Sequence, residues 1–135
     1  MMIFILAYFV CLISYLGLDM LWLLGLGRPF YIVEIGGLLR EQPNLLAAIV
    51  FYLIYALGLT FFAISPSIKA SSPMMALGYG ALFGLVSYAT YDLTNLAVMN
   101  GFTLRIALID MAWGASLSAA TAWAVNRALH LAGMS

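Results

Sequence analysis

Four long apolar runs, separated by short polar or proline-bearing stretches, constrain this chain more than any other feature. The hydrocarbon core of a bilayer is about 30 Å thick and takes roughly 20 predominantly apolar residues at the helical rise of about 1.5 Å per residue. Runs at approximately Met2 to Leu26, Leu45 to Ile64, Met74 to Met99 and Thr103 to Leu131 have that length. Composition agrees, with 66% of residues hydrophobic and 7% charged, where a soluble domain carries roughly a quarter charged. The expected architecture is one all-α transmembrane domain over residues 1–135, an integral membrane four-helix bundle with a short interfacial segment between helices 1 and 2.

The breaks between runs have local causes. Gly27, Arg28 and Pro29 stop the first, because proline lacks an N–H and disfavours helix in the residue before it. The stretch Pro29 to Asn44 carries Glu34, Arg40 and Glu41, so it is too short and too charged to span and reads as an interfacial helix or loop. Ser65 and Pro66 are expected to close the second run before a connector with Lys69, and Asn100–Gly101 suits a left-handed cap after the third. The N-terminal run has neither a basic leader nor a small-x-small cleavage pattern, so it is expected to remain as a span. Gly80, Gly84, Ala115 and Ala119 form small-x-x-x-small pairs that suit close helix packing within the bundle.

Charge excludes one class of partner. Five Lys or Arg balance five Asp or Glu, and no basic face is present to displace counterions from nucleic acid. Lys69 and Arg127 on the terminal side oppose Arg28, Arg40 and Arg105 on the other, which leaves the orientation open under the positive-inside rule. Cys11 is the sole cysteine and reads as apolar filler. His130 reads as a solvated end residue and Trp123 as an interfacial anchor. The sequence specifies neither metal nor cofactor.

Three aspartates lie within the runs. Helix direction alternates, so Asp19, Asp92 and Asp110 each fall about seven or eight residues, or roughly 10 to 12 Å, from the same membrane face. Neighbours at i±3 and i±4 share their faces. Tyr8, Tyr15 and Trp22 accompany Asp19; Tyr88, Asn95 and Met99 accompany Asp92; Trp113, Gly114 and Leu117 accompany Asp110. Tyr52 and Tyr55 belong to the same half, as does Tyr91. Asp19-Met20-x-Trp22 is answered by Asp110-Met111-x-Trp113, which hints at internal symmetry. Arg28 and Arg105 are the candidate charge partners.

An ionisable group inside a span is unfavourable by about 2.5–3.5 kcal/mol at a helix centre, and an interhelical polar contact returns only about 0.6 kcal/mol. A functional site is therefore preferred to a structural role, in which the acids would simply bond tyrosine hydroxyls, Thr94 or Asn95. Asp19, nearest Arg28, is the one that best suits a structural role.

The words YATYDLTNLA from Tyr88 to Ala97, LDMLW in the first run, IDMAWG in the fourth and FYLIYALG from Phe51 to Gly58 resemble a family of small bacterial integral membrane proteins grouped as domain of unknown function 2177. The resemblance covers nearly the whole chain and departs at Phe102, where the family often has tryptophan. It implies a multi-pass protein of the bacterial cytoplasmic (inner) membrane and brings no activity with it. The residues themselves favour proton- or cation-linked transport or permeation through Asp92 and Asp110, in a chain that functions as an oligomer. A membrane-embedded enzyme or enzyme subunit acting on a lipid or apolar molecule is the first alternative, and a structural subunit bound to another membrane protein is the second. Membrane lipid is the expected environment in all three.

Overall fold

The computed structural model describes residues 1–40 and 42–134; Glu41, one of the acids assigned to the first connector, lies outside them. The described residues form helices and no strand. Helix α1 covers Met2–Leu26, α2 Arg28–Ile35, α3 Leu45–Lys69, α4 Pro73–Val98 and α5 Leu104–Leu131.

Three helix starts are capped by side chains that satisfy orphan N–H groups. Asn44 Oδ1 accepts from Ala47 N at 3.1 Å, Ser72 Oγ from Met75 N at 3.1 Å and Thr103 Oγ1 from Ile106 N at 3.2 Å. Pro73 sits in the first turn of α4, where its missing N–H has no cost. After α4 the chain reverses through Gly101, at φ +86°.

The second run does not end at Ser65 and Pro66, as expected from sequence, because α3 continues to Lys69. Its residues Thr60–Ile64 form a wider, π-type turn, and the Ser65 N–H reaches back to the Thr60 carbonyl. Pro66 therefore enters as the start of a fresh helical segment, where proline is tolerated, rather than as an interior residue.

Helix α1 buries Ala7, Cys11, Tyr15 and Asp19, one residue per turn along a single stripe. Helices α4 and α5 make the most extensive contact in the molecule, and small residues set their separation. A methyl group on Gly80 would lie 2.7 Å from the Ser118 carbonyl, and one on Gly84 would collide with the Gly114 carbonyl and Ser118 Oγ. Ala119 lies at the same contact, with its Cα facing Gly80.

Large apolar side chains cover the outside as well as the inside: Ile13, Leu53, Phe61, Phe62, Leu82, Val86 and Leu108 are all exposed. Helices that are apolar all round belong in lipid or a protein core. Helices α1 and α3 are long and apolar enough to cross a membrane. Helices α4 and α5, at 26 and 28 residues, have the length, but glycine and hydroxyl residues dilute their apolar character.

The segment after α1 is a helix, α2, followed by a tight turn at Gly36–Leu38. It folds against the start of α5, where Ile35, Phe102, Ile106 and Ala107 are buried together with Phe30, Tyr31 and Leu96 packed on them. This placement brings α2 to the edge of the acidic region.

Candidate functional site

The end of α1 shapes the site. Its last turn, Trp22–Leu26, is π-type, with the Gly27 N–H bonded to the Trp22 carbonyl at 2.7 Å. The Trp22 indole lies against Gly27 so closely that a Cβ there would come within 2.6 Å of the ring. So seated, Trp22 stacks on Trp113 of α5, with centroids 4.6 Å apart and planes at 13°. Its Nε1 donates to Tyr31 Oη at 3.0 Å, and Tyr31 Oη donates to Asp110 Oδ1 at 2.5 Å.

Asp19 is held from two other helices. Tyr52 Oη of α3 donates to its Oδ2 at 2.5 Å, and Trp113 Nε1 donates to its Oδ1 at 3.1 Å. Deeper in the molecule Tyr15 and Tyr88 share a hydrogen bond, and Tyr55 Oη bonds Ser118 Oγ at 2.7 Å. The donors that reach Asp19 and Asp110 are thus neutral phenols and an indole.

Two adjoining cavities open beside these groups. The inner one, of about 450 Å³, is bounded by Asp19, Asp110, Tyr52, Tyr55, Tyr88, Tyr91 and Trp113 among others. The outer one, of about 600 Å³, is bounded by Asp92, Asp110, Arg28, Arg40 and the apolar side chains of α2 and the start of α5. Tyr31, Tyr91, Leu23 and Asp110 line both.

Asp92 differs from the other two acids. It is fully buried, and among the described residues no donor group reaches either carboxylate oxygen; the polar group beside it is the Asp110 carboxyl. Asp110 is the acid that faces it. A buried polar group without a donor is unfavourable by roughly 1–3 kcal/mol, more for a charge; among the described residues Asp92 is the acid in that position, and the Thr121 hydroxyl is a second such group.

The remaining residues singled out from sequence are distributed as follows. Tyr91 is exposed, with its ring edge-on to Phe102. Asn95 is half-buried and borders neither cavity. Arg28 reaches the rim of the outer cavity. Arg105 is engaged elsewhere, 3.6 Å from Glu34 and 4.9 Å above the Phe30 ring. Glu34 also accepts from Thr103 Oγ1 at 2.7 Å. Among the described residues no group of three or more His, Cys, Asp or Glu is arranged to hold a metal ion.

Tyr31 is the central residue that sequence reasoning passed over. Depth counting treats only the runs, and Tyr31 lies in the charged connector. Its flanking pattern, Phe30 and Tyr31 after a proline-started helix, was the available signal.

Fold and site together define an all-helical protein with an apolar exterior and an acidic, aromatic-lined interior near one end of its long helices. The chain belongs to the family of predicted membrane proteins designated DUF2177, whose family model matches residues 4–126. Comparison with curated proteins and with solved structures finds no match.

Proposed function

We propose that the chain crosses a bacterial cytoplasmic membrane four times as a helical bundle, with α2 at the interface, and that Asp92 and Asp110 bind a proton or cation whose exchange is linked to transport or permeation. The observation that carries this reading is Asp92: buried, reached by no donor among the described residues, and set beside the Asp110 carboxyl in the wall of the outer cavity. Two unit charges about 4 Å apart repel by roughly 4 kcal/mol at an effective dielectric of 20. A proton or cation held by the pair relieves that repulsion and the desolvation of Asp92 together. Among the described residues, the other titratable or charged groups around the pair include Asp19, Tyr31, Tyr88, Tyr91, Arg28 and Arg40, and both arginines are exposed.

Proteoliposomes enclosing a pH-sensitive dye test the reading. Wild-type protein is expected to dissipate an imposed proton or cation gradient, and Asp92→Asn and Asp110→Asn to slow it by about tenfold or more, equivalent to roughly 1.4 kcal/mol. Equal rates in all three would overturn it.

A membrane-embedded enzyme acting on a lipid or apolar molecule is the second reading. It draws support from the aromatic walls and combined size of the two cavities, since small-molecule sites are mostly apolar with a few placed polar groups. Unchanged lipid profiles after gene deletion would count against it. A structural-subunit role would need a surface other than Gly80 and Gly84, which are occupied by α5.

A further inference from the structure

We propose that the inner cavity binds a lipophilic organic cation, an amine or quaternary onium group carrying an apolar body, with its charge between Asp19 and Asp110 and its body against the surrounding rings. The inference rests on the preceding reading in that the same acidic region holds the charge, and it adds the class of molecule.

The chemistry of the wall selects the ligand. Among the described residues, seven aromatic side chains and two carboxylates border the inner cavity, and no Lys, Arg or His does. An anion would meet two carboxylates with no cation opposite them. A bare inorganic cation would need converging oxygens to replace its water, but Asp19 already has each oxygen engaged, by Tyr52 and by Trp113, and most of the wall is carbon. Ring faces attract weakly hydrated organic cations, most strongly where water is excluded. A volume of about 450 Å³ is also far larger than an ion and lies in the size range of drug-like ligands, roughly 300–1,000 Å³.

A second observation points the same way from outside this wall. Asp92, fully buried, reached by no donor among the described residues and set beside the Asp110 carboxyl, borders the adjoining cavity, which shares Tyr31, Tyr91 and Asp110 with this one. Acceptor capacity without a donor therefore extends past the inner chamber, and Arg28 and Arg40 border only the outer cavity. The potential across the joined cavities thus becomes favourable to a cation toward the rings.

Equilibrium dialysis of the purified full-length chain in mild detergent, with labelled tetraphenylphosphonium as the probe, tests the proposal. Saturable binding is expected, about tenfold weaker in Asp19→Asn and in Asp110→Asn. Triphenylphosphine oxide, neutral and of similar shape, is expected to compete poorly with the wild-type protein, a measurement that requires no variant to fold. Absent binding, equal competition by the neutral compound, or unaltered affinity in both folded variants would each overturn the proposal. The two readings fail separately: proton flux that depends on Asp92 without onium binding sinks only this one, whereas onium binding with flux indifferent to Asp92→Asn sinks only the proton site.

Discussion

At Asp110 the donor is the Tyr31 phenol, and at Asp19 it is a phenol and an indole. Tyr31 belongs to α2, outside the long helices. Burial, together with the Asp110 carboxylate beside it, pushes its hydroxyl above the ordinary phenol range. A group whose folded pKa is raised contributes stability that is complete below its unfolded value, about 10 for tyrosine, and is lost as pH rises beyond it. Wild-type protein in detergent should therefore lose melting temperature more steeply above about pH 10 than Tyr31→Phe does. Parallel curves would show that this phenol is not what the alkaline limb reports. The three acids were legible as a group, since helix direction and rise give Asp19, Asp92 and Asp110 one expected depth, and Asp110 lines a cavity with each of the other two. Tyr31 was not, because its position depends on α2 folding back against Phe102 and Ile106. Nor was the partner of Arg105: Glu34 lies across a connector whose path the sequence does not specify.

Among the elements, the widened turn at Thr60–Ile64 explains why α3 outruns its sequence-based boundary, whereas α1 ends at Leu26 as its run implies. Gly27 is expected to be intolerant of a side chain, because the Trp22 ring occupies the space a Cβ would need. Gly27→Leu should displace Trp22 from Trp113 and reduce the near-ultraviolet circular dichroism of the stacked indoles, at about 1–3 kcal/mol of overpacking. An unaltered spectrum would contradict the stacked geometry. The α4–α5 contact makes a parallel prediction. Gly84→Leu should lower thermal stability by a similar amount, about 1–3 kcal/mol or more. Gly78→Ala, with nothing within 4 Å of its added methyl, should be neutral or stabilising by roughly 0.5–1 kcal/mol. Equal losses at both positions would dismiss the close approach. The Gly80 and Gly84 pattern was readable as packing. Which residues of α5 they meet was not: Ala119 faces Gly80, and Gly114 and Ser118 make the tightest approaches to Gly84, since the crossing angle of two helices is a tertiary quantity.

For the whole molecule, four membrane crossings predict which loops share a side. In a Cys11→Ala background, cysteines at Ser71 and Met134 should react with an impermeant maleimide from one face of sealed vesicles, and cysteines at Gly37 and Asn100 from the other. Labelling of all four from one face would remove the four-span arrangement. The molecule is also less polarised along its length than the runs imply. Besides the acidic end, Asn126 Nδ2 donates to Ser67 Oγ at 2.9 Å, and Ser67 donates to the Ile64 carbonyl at 2.7 Å, both residues being buried toward the far ends of their helices. Thr60 and Thr121 are buried between these two regions. Single hydroxyl and amide residues in an apolar run carry little sequence signal, so only the packing reveals them.

Backbones that touch at Gly80, Gly84 and Gly114 also have a mechanical consequence. A pair of helices in such close register has no side-chain cushion to deform, so it behaves as a stiff frame. Compliance is left to the parts joined by wider turns and by glycine, namely α1 beyond Leu21, α2 between Gly27 and Gly36, and α3 around Thr60–Ile64. Of the groups at the site, Tyr31 belongs to those parts, whereas Asp92 and Asp110 ride on the frame. Movement of α2 thus shifts the Tyr31 donor relative to two fixed acids, and widens or narrows the cavities that it lines.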